Sequence, residues 1–297
     1  MNKLSSMQKV LVYYIFALCP SILYGFYKNG INLFQRGYID FFGCLKPVLL
    51  PVISIILGVV IEIIHSKIRN EKANTNVRNS FLPMTGLILS CIINPSIGYI
   101  QYFIMLIPIL IIIKLLSIIK KIEFNYPALA KIMLFVIVIV FVTNSYQNLY
   151  EANVTQALDN TDYLFGRGVG GLASTSVLLS VVGYIFLCFT DTYKKEIPLY
   201  STIIYLLLLI IYCLITNAMD NIFVNLFTNT VIFSFIFIAP DSVSTPYTKK
   251  GKIIFSILLG IITFVLTTFI LPTEGVFISI FIVSIFSKLF DKLFALK

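Results

Sequence analysis

LILSCIINPSIGYIQYFIMLIPILIIIKLL, residues 87–116, decides the fold of this chain. The run is too long for a single crossing of the hydrocarbon layer, which takes about 20 residues of helix. Asn94-Pro95 and Gly98 supply a break between two crossings. Runs of this kind recur along the chain, which is 59% hydrophobic and 12% charged, with mean hydropathy +0.97. A soluble domain carries roughly 25% charged residues, so too little polar surface remains here to face water. The chain reads as all-α, a polytopic integral membrane protein.

The apolar runs predict about ten transmembrane helices, near 9–27, 46–64, 80–98, 101–118, 128–143, 171–190, 198–217, 221–239, 253–271 and 275–293. Lys3 and Lys9 precede the first run, but no small-residue cleavage site follows, and Cys19-Pro20 lies inside it. That segment reads as a retained helix rather than a signal peptide. Placing the N-terminus in the cytoplasm puts all of the 22 Lys and Arg on the inner side except Lys28, Arg36, Lys46 and Arg167. Insertion reads Lys and Arg in this way, so the split predicts a cell-membrane protein with both termini cytoplasmic. The net charge of +9 is thereby explained by topology, and nucleic acid is not expected as a partner.

The longest non-apolar stretch, roughly 144–170, separates an N-terminal five-helix half (1–150) from a C-terminal five-helix half (151–297). Halves with an odd helix count have opposite orientations, and inverted repeats commonly hold ligands near the midplane. Cys19, Cys44, Cys91, Cys188 and Cys213 show no CxxC spacing and read as small buried hydrophobes. His65 is the only histidine, so a His-based metal site is excluded within this chain. Glycine-rich phosphate loops and a Ser/His/Asp set are absent, which argues against catalysis by side chains.

Two acids stand at or inside the predicted spans. Glu62 is the deepest, near the inner end of the second span; it either snorkels or pairs with Lys67, or it belongs to an ion path. Glu274 follows Pro272 at the outer end of the ninth span. It either favours the positive end of the tenth helix or admits ions. Asp241, among Ser242, Ser244, Thr245 and Thr248, is placed to cap the next turn or to handle a cation or ligand.

Several segments, in order, carry a family likeness. IAPDSVSTPYTKKGK (238–252) resembles the M-A-T-D-P-V-T-S-P-x-T-x-x-G segment of the RnfD and NqrB membrane subunits, with Ala239, Asp241, Val243, Pro246, Thr248 and Gly251 in place. Glu274-Gly275-Val276 and Asp291 fit the family's terminal P-E-G-V and Asp, while the Asn between them is Ser284 here. GGLASTSVLLSVVGYIFL (170–187) resembles G-S-I-G-E-T-S-A-L-A-I-L-L-G-G, with Thr175 and Ser176 matched. MTGLILSCIINPS (84–96) keeps Thr85, Gly86 and Pro95, and EFNYPALAKIML (123–134) keeps Phe124 and Asn125, with Lys131 where the family has Arg. The first helix is similar too.

This resemblance implies a membrane subunit of a flavin-dependent, Na⁺- or H⁺-translocating electron-transport complex. It implies cofactor contacts at Thr85, Gly86, Asn125, Lys131, Thr175, Ser176, Asp241, Thr245 and Thr248, and an ion path through Glu62 and Glu274. The implied partners are other membrane subunits, a flavoprotein on the outer face, and the lipid bilayer. The family's threonine for covalent FMN sits in an S-G-A-T-P-L type motif. Here that loop reads EANVTQALDNTDYLFGRG (151–168), where Thr155 lacks the flanking residues. The glycine-rich turn before the F-N-P motif is also replaced, by KLLSIIKK (114–121). The expected flavin, FMN or riboflavin, is therefore not covalently attached. The rival function is a non-redox transporter, channel or accessory subunit that keeps the fold without the flavin.

Overall fold

A helix with lipid outside and protein inside shows apolar residues outward and small or polar residues inward. The helix Phe41–Ile68 has this pattern: Val52, Ile56, Val60, Ile64 and Ile68 are exposed, while Leu50, Ser54, Gly58, Glu62 and Ser66 are buried. Both rows follow the i±4 ridges along which helices interlock. Glu196–Ile215 repeats it, with Leu199, Ile203, Leu207, Ile211 and Ile215 outward and Ser201, Tyr205, Leu209 and Cys213 inward.

The computed structural model describes residues 6–118, 124–141, 160–168, 170–217 and 230–295, and the described residues are all-helical in their regular structure. In chain order the helices are α1 (Met7–Gln35), α2 (Phe41–Ile68), α3 (Ala73–Asn79), α4 (Leu82–Ile92), α5 (Tyr99–Ile118), α6 (Tyr126–Phe141) and α7 (Asn160–Phe165). They continue as α8 (Val177–Cys188), α9 (Glu196–Ile215), α10 (Val231–Phe237), α11 (Lys249–Phe269), α12 (Gly275–Ile285) and α13 (Ser287–Ala295). Among the described residues five, α1, α2, α5, α9 and α11, are long and apolar enough to cross a membrane. α1 passes through a wide π-helical turn at Phe26–Ile31 without breaking.

Three of the other apolar spans depart from the sequence expectation. The span expected over 80–98 ends as helix at Ile92, before Asn94-Pro95, because the residue preceding a proline is driven out of the α region. The span expected over 171–190 starts as helix only at Val177, after a non-helical strap. The last expected span is divided at Phe286 into α12 and α13. Of the span expected over 221–239, the described residues show helix at Val231–Phe237.

The chain forms two compact units whose segments interleave: Met1–Lys120, Met133–Thr155 and Gly171–Ser174 in one, Lys121–Ile132, Gln156–Gly170 and Thr175–Lys297 in the other. In the first unit α4 is buried along its whole length and lies backbone to backbone on α2. A Cβ on Gly86 would stand 2.7 Å from the Ser54 carbonyl oxygen, and one on Gly58 would stand 2.7 Å from the Pro83 nitrogen. Small residues permit such approach between membrane helices. The buried end of α4 needs partners for its last carbonyls. The strap supplies them: Leu172 N donates to Ile93 O at 2.9 Å and Ala173 N to Cys91 O at 2.8 Å. Lys46 Nζ donates to Pro95 O and Ile97 O, both at 2.9 Å.

The second unit solves the same problem for α10, which is buried from Val231 to Phe237. Asn125 Nδ2 donates to Ile238 O at 2.7 Å, and the Tyr193 hydroxyl to Ile236 O at 2.8 Å. Lys194 Nζ holds the loop that follows, donating to Thr245 O at 2.8 Å and Ser242 O at 3.3 Å.

The α2–α4 contact is testable. Gly86→Leu drives a side chain into the backbone of α2, an overpacking that costs about 1–3 kcal/mol or more where nothing can yield. A clearly lower thermal midpoint in detergent is expected. Val60→Leu, on the exposed row of α2, leaves the midpoint unchanged.

Candidate functional site

Among the described residues each unit buries one Lys–Glu pair. In the second, Lys131 projects from the second turn of α6 and Glu274 immediately precedes α12. Lys131 Nζ donates to Glu274 Oε1 at 2.9 Å, and both side chains are 11% exposed. The ammonium also lies 5.4 Å from the centroid of the Phe277 ring, within cation–π range. Glu274 Oε2 is buried with no hydrogen-bond partner.

Loop counting had set these two residues on opposite faces of the membrane, and the structure corrects this. α6 starts at a buried position: Asn125 is fully buried, its backbone N–H donates to Ser284 Oγ at 3.2 Å, and its Oδ1 accepts from Ala128 N at 3.0 Å. Lys131, about a turn and a half further on, is thus an interior residue and not a loop charge. Glu274 is a member of that pair and makes no side-chain cap to α12.

In the first unit Glu62 is 1% exposed. Its partner is Lys114 on α5, with Nζ 2.5 Å from Oε1, and not Lys67 as local spacing suggested. Ser80 Oγ donates to Oε2 at 2.9 Å. Lys67 is exposed at the end of α2, and Glu62 lies on the inward row of that helix. The pair opens on a cavity of about 470 Å³ whose walls include His65, Asn76, Ser80 and Ser117. Sequence reasoning missed Lys114, although a signal existed: it is the sole charge in residues 87–116.

The loop between α10 and α11 closes on itself. Ser244 Oγ donates to Asp241 Oδ2 at 3.0 Å, and the Val243 and Ser244 amides also donate to that carboxylate, so Asp241 caps its own turn. Thr245 Oγ1 donates to Asp241 O and accepts from Lys194 Nζ at 2.6 Å. Burial pushes the Asp241 carboxyl above the usual carboxylate range, against those hydrogen bonds and the Lys194 charge. Thr248 caps α11 by accepting from Gly251 N at 3.1 Å, and its hydroxyl donates to Asp291 Oδ1 at 2.9 Å. The Tyr247 and Thr248 amides donate to Asp291 as well. Lys194 was another residue the sequence did not single out, since it reads as one of many loop charges.

The remaining sequence-predicted residues lie elsewhere. Thr85 is buried and its hydroxyl donates to Phe81 O at 3.1 Å. Gly86 is occupied by α2. Ser176 caps α8, accepting from Leu179 N at 3.3 Å, and Thr175 is buried beside Gly170. Thr155 lies outside the described residues. Of the nine residues expected to touch a flavin, Thr85, Asn125, Lys131, Ser176, Asp241, Thr245 and Thr248 have side-chain polar groups committed to neighbours in the chain. So committed, these groups do not fit a flavin. What the arrangement can do chemically resides in the two buried pairs, which hold charge away from water.

Residues 1–297 match the family model described as the NQR2, RnfD, RnfE family. Over 147 residues the chain is 31% identical to the D subunit of the ion-translocating oxidoreductase complex of Actinobacillus succinogenes, covering 47% of this chain and 40% of that relative. Over 147 residues it is 30% identical to the D subunit of the Na(+)-translocating ferredoxin:NAD(+) oxidoreductase complex of Acetobacterium woodii, covering 48% of this chain and 44% of that relative. The match thus spans less than half the length of either relative. Together with the five long apolar helices, the family match makes this a multi-pass membrane protein.

Two outcomes follow from this geometry. Lys131→Met or Glu274→Gln alone leaves the other member of the pair without its counter-charge and should cost about 3–5 kcal/mol of stability. The double variant recovers much of that loss, a coupling read from a double-mutant cycle in detergent. For Asp241, the raised carboxyl means that the native state holds the proton more tightly than the unfolded chain. Stability should fall as pH rises from about 4, the unfolded carboxylate value, through the higher native value. Asp241→Asn should flatten that slope in thermal unfolding measured as a function of pH.

Proposed function

This chain belongs to the NQR2, RnfD, RnfE family, and from that premise we propose that it is a membrane subunit of an ion-translocating oxidoreductase complex whose own contribution is part of the ion path. The observation that carries this reading is the pair of buried ion pairs, Glu62–Lys114 and Lys131–Glu274. A buried ion pair is a weak stabiliser, and well-packed apolar residues often serve stability as well or better. Ionisable side chains inside membrane bundles mark ion and proton pathways by default. One such pair in each unit supports a path for Na⁺ or H⁺.

The two relatives, each named as part of an ion-translocating oxidoreductase complex or a Na⁺-translocating one, support other membrane subunits as partners. A flavoprotein on the outer face and cytoplasmic termini follow from the family likeness and the basic-residue split. FMN or riboflavin, held without a covalent bond, is the cofactor the family suggests. Seven of the nine candidate contacts have their polar groups committed within the chain, so no step of the ion path runs through that cofactor.

The test uses the assembled complex in inverted membrane vesicles, with electron transfer and ion uptake recorded together. Glu62→Gln and Glu274→Gln, each in complexes that still assemble, should lower electron-transfer-driven ion uptake at least tenfold, equivalent to about 1.4 kcal/mol on the barrier. Full ion uptake in both variants would remove the ion-path assignment and favour an accessory role.

A further inference from the structure

We infer that the cavity at the end of α2 is a binding site for the headgroup of an aminophospholipid, with the phosphate on Arg69 and the ammonium on Glu71. The site lies wholly within the first unit and stands independently of the ion-path reading.

The charges of the cavity wall divide into a paired set and an open set. Glu62 and Lys114 neutralise each other, and Ser80 Oγ occupies the second oxygen of Glu62. Arg69 and Glu71 line the same cavity. The Arg69 guanidinium takes part in no ion pair and no hydrogen bond among the described residues. Glu71 Oε2 accepts from Asn76 Nδ2 at 2.6 Å, and its Oε1 accepts nothing among those residues. One open cation and one open anion thus face one space. A ligand that answers both carries a negative and a positive group.

The open donors favour a phosphate at the negative end. A guanidinium presents a planar fork of N–H groups that matches phosphate oxygens. Asn79, also on the wall, makes no side-chain hydrogen bond among the described residues, so its amide N–H groups are open. His65 Nδ1 is buried without a partner, and as an N–H it donates. Lys114 gives one of its donors to Glu62 and keeps the others. Open donors on several wall side chains suit a phosphate diester, whose oxygens accept in more directions than a carboxylate does. At the positive end Glu71 favours a primary ammonium, which donates N–H bonds, over a quaternary one, which has none.

The surroundings point to a lipid as the source of this headgroup. On α2 the exposed apolar row Val60, Ile64 and Ile68 ends where Arg69, Asn70, Glu71 and Lys72 begin. That change from apolar to charged marks the border of the hydrocarbon layer with the headgroup region. Ile64 and Ile68 precede His65 and Arg69 by one position each, about 100° around the helix, so the lipid face of α2 borders the cavity face. On α5 Ile111 and Leu115 are exposed, and Ser117 and Ile118 at the end of that helix line the cavity. Acyl chains can lie on these apolar rows while the headgroup enters the cavity, and their burial adds affinity that a free headgroup lacks. The cavity volume of about 470 Å³ falls within the range of small-molecule sites.

The measurement is native mass spectrometry of the purified full chain, stripped of lipid in detergent. It is titrated with phosphatidylethanolamine, phosphatidylglycerol and phosphatidylcholine of matched acyl chains, and with free phosphoethanolamine. No electron transfer is needed, so the result is separate from that of the vesicle assay. Phosphatidylethanolamine should bind most tightly. Arg69→Gln should weaken its binding about tenfold or more, the size of one hydrogen bond to a charged group. Glu71→Gln keeps an oxygen for Asn76 and removes the charge, so it should erase the preference over phosphatidylglycerol. Lys67→Gln, exposed at the end of α2 but outside the cavity, should change neither result. Arg69 and Glu71 are exposed, where substitution rarely unfolds a protein, and an unchanged thermal midpoint checks this for both variants. Equal binding of the three lipids, selective binding that survives both substitutions, or equally tight capture of free phosphoethanolamine would overturn the inference.

Discussion

A helix that ends inside protein leaves its last carbonyls with no water to meet them, and in a membrane bundle this constraint cannot be relaxed. α4 and α10 both end that way, and much of each unit is organised around supplying the missing donors. In the first unit a non-helical strap gives the amides of Leu172 and Ala173 to Ile93 and Cys91. In the second, Asn125 gives its side-chain amide to Ile238. Each unit then uses one lysine, Lys46 or Lys194, to hold the loop beyond the helix end through its carbonyls. The strap and the start of α6 are thereby fixed, and with them the interleaving of chain segments between the units.

The charge pairs follow from that placement. Because α6 begins at a buried asparagine, its second turn carries Lys131 into the interior, where one acid answers it. Because α2 turns its polar row inward, Glu62 has no route to water along its own helix and is met by Lys114 from α5. The 470 Å³ cavity at Glu62 and the unpartnered oxygen of Glu274 differ in kind: the first opens on solvent-sized space, the second is a buried oxygen without a hydrogen-bond partner.

The hydroxyl-rich loop after α10 behaves differently. DSVSTPYT reads in sequence like a cradle, with a carboxylate and several free donors. In three dimensions those donors turn inward: Ser244 and Thr245 serve Asp241, and Thr248 serves Asp291. Polar groups buried in a membrane protein are satisfied by the nearest partner, and in a tight turn that partner is the turn itself.

Class, approximate element positions and family were determined by the sequence alone. Hydropathy needs no partner to be read, since each apolar run reports its own preference for hydrocarbon, and breaks such as Asn94-Pro95 act within one residue of themselves. The same local logic marked Glu62, Glu274 and Asp241 as notable. It failed wherever the answer lay across helices. Glu62 looked to Lys67, five residues away, and found Lys114; Lys131 and Glu274 were assigned to opposite faces and lie 2.9 Å apart. The helix end at Ile92 was overrun, and its carbonyls are met by the distant strap amides; the start of α8 was anticipated too early, since Ser176 caps it inside the expected span. Pairing, depth and partnership belong to the tertiary structure, for the physical reason that a charge or a carbonyl removed from water is satisfied by whatever group folding brings near, and sequence separation says nothing about which group that is.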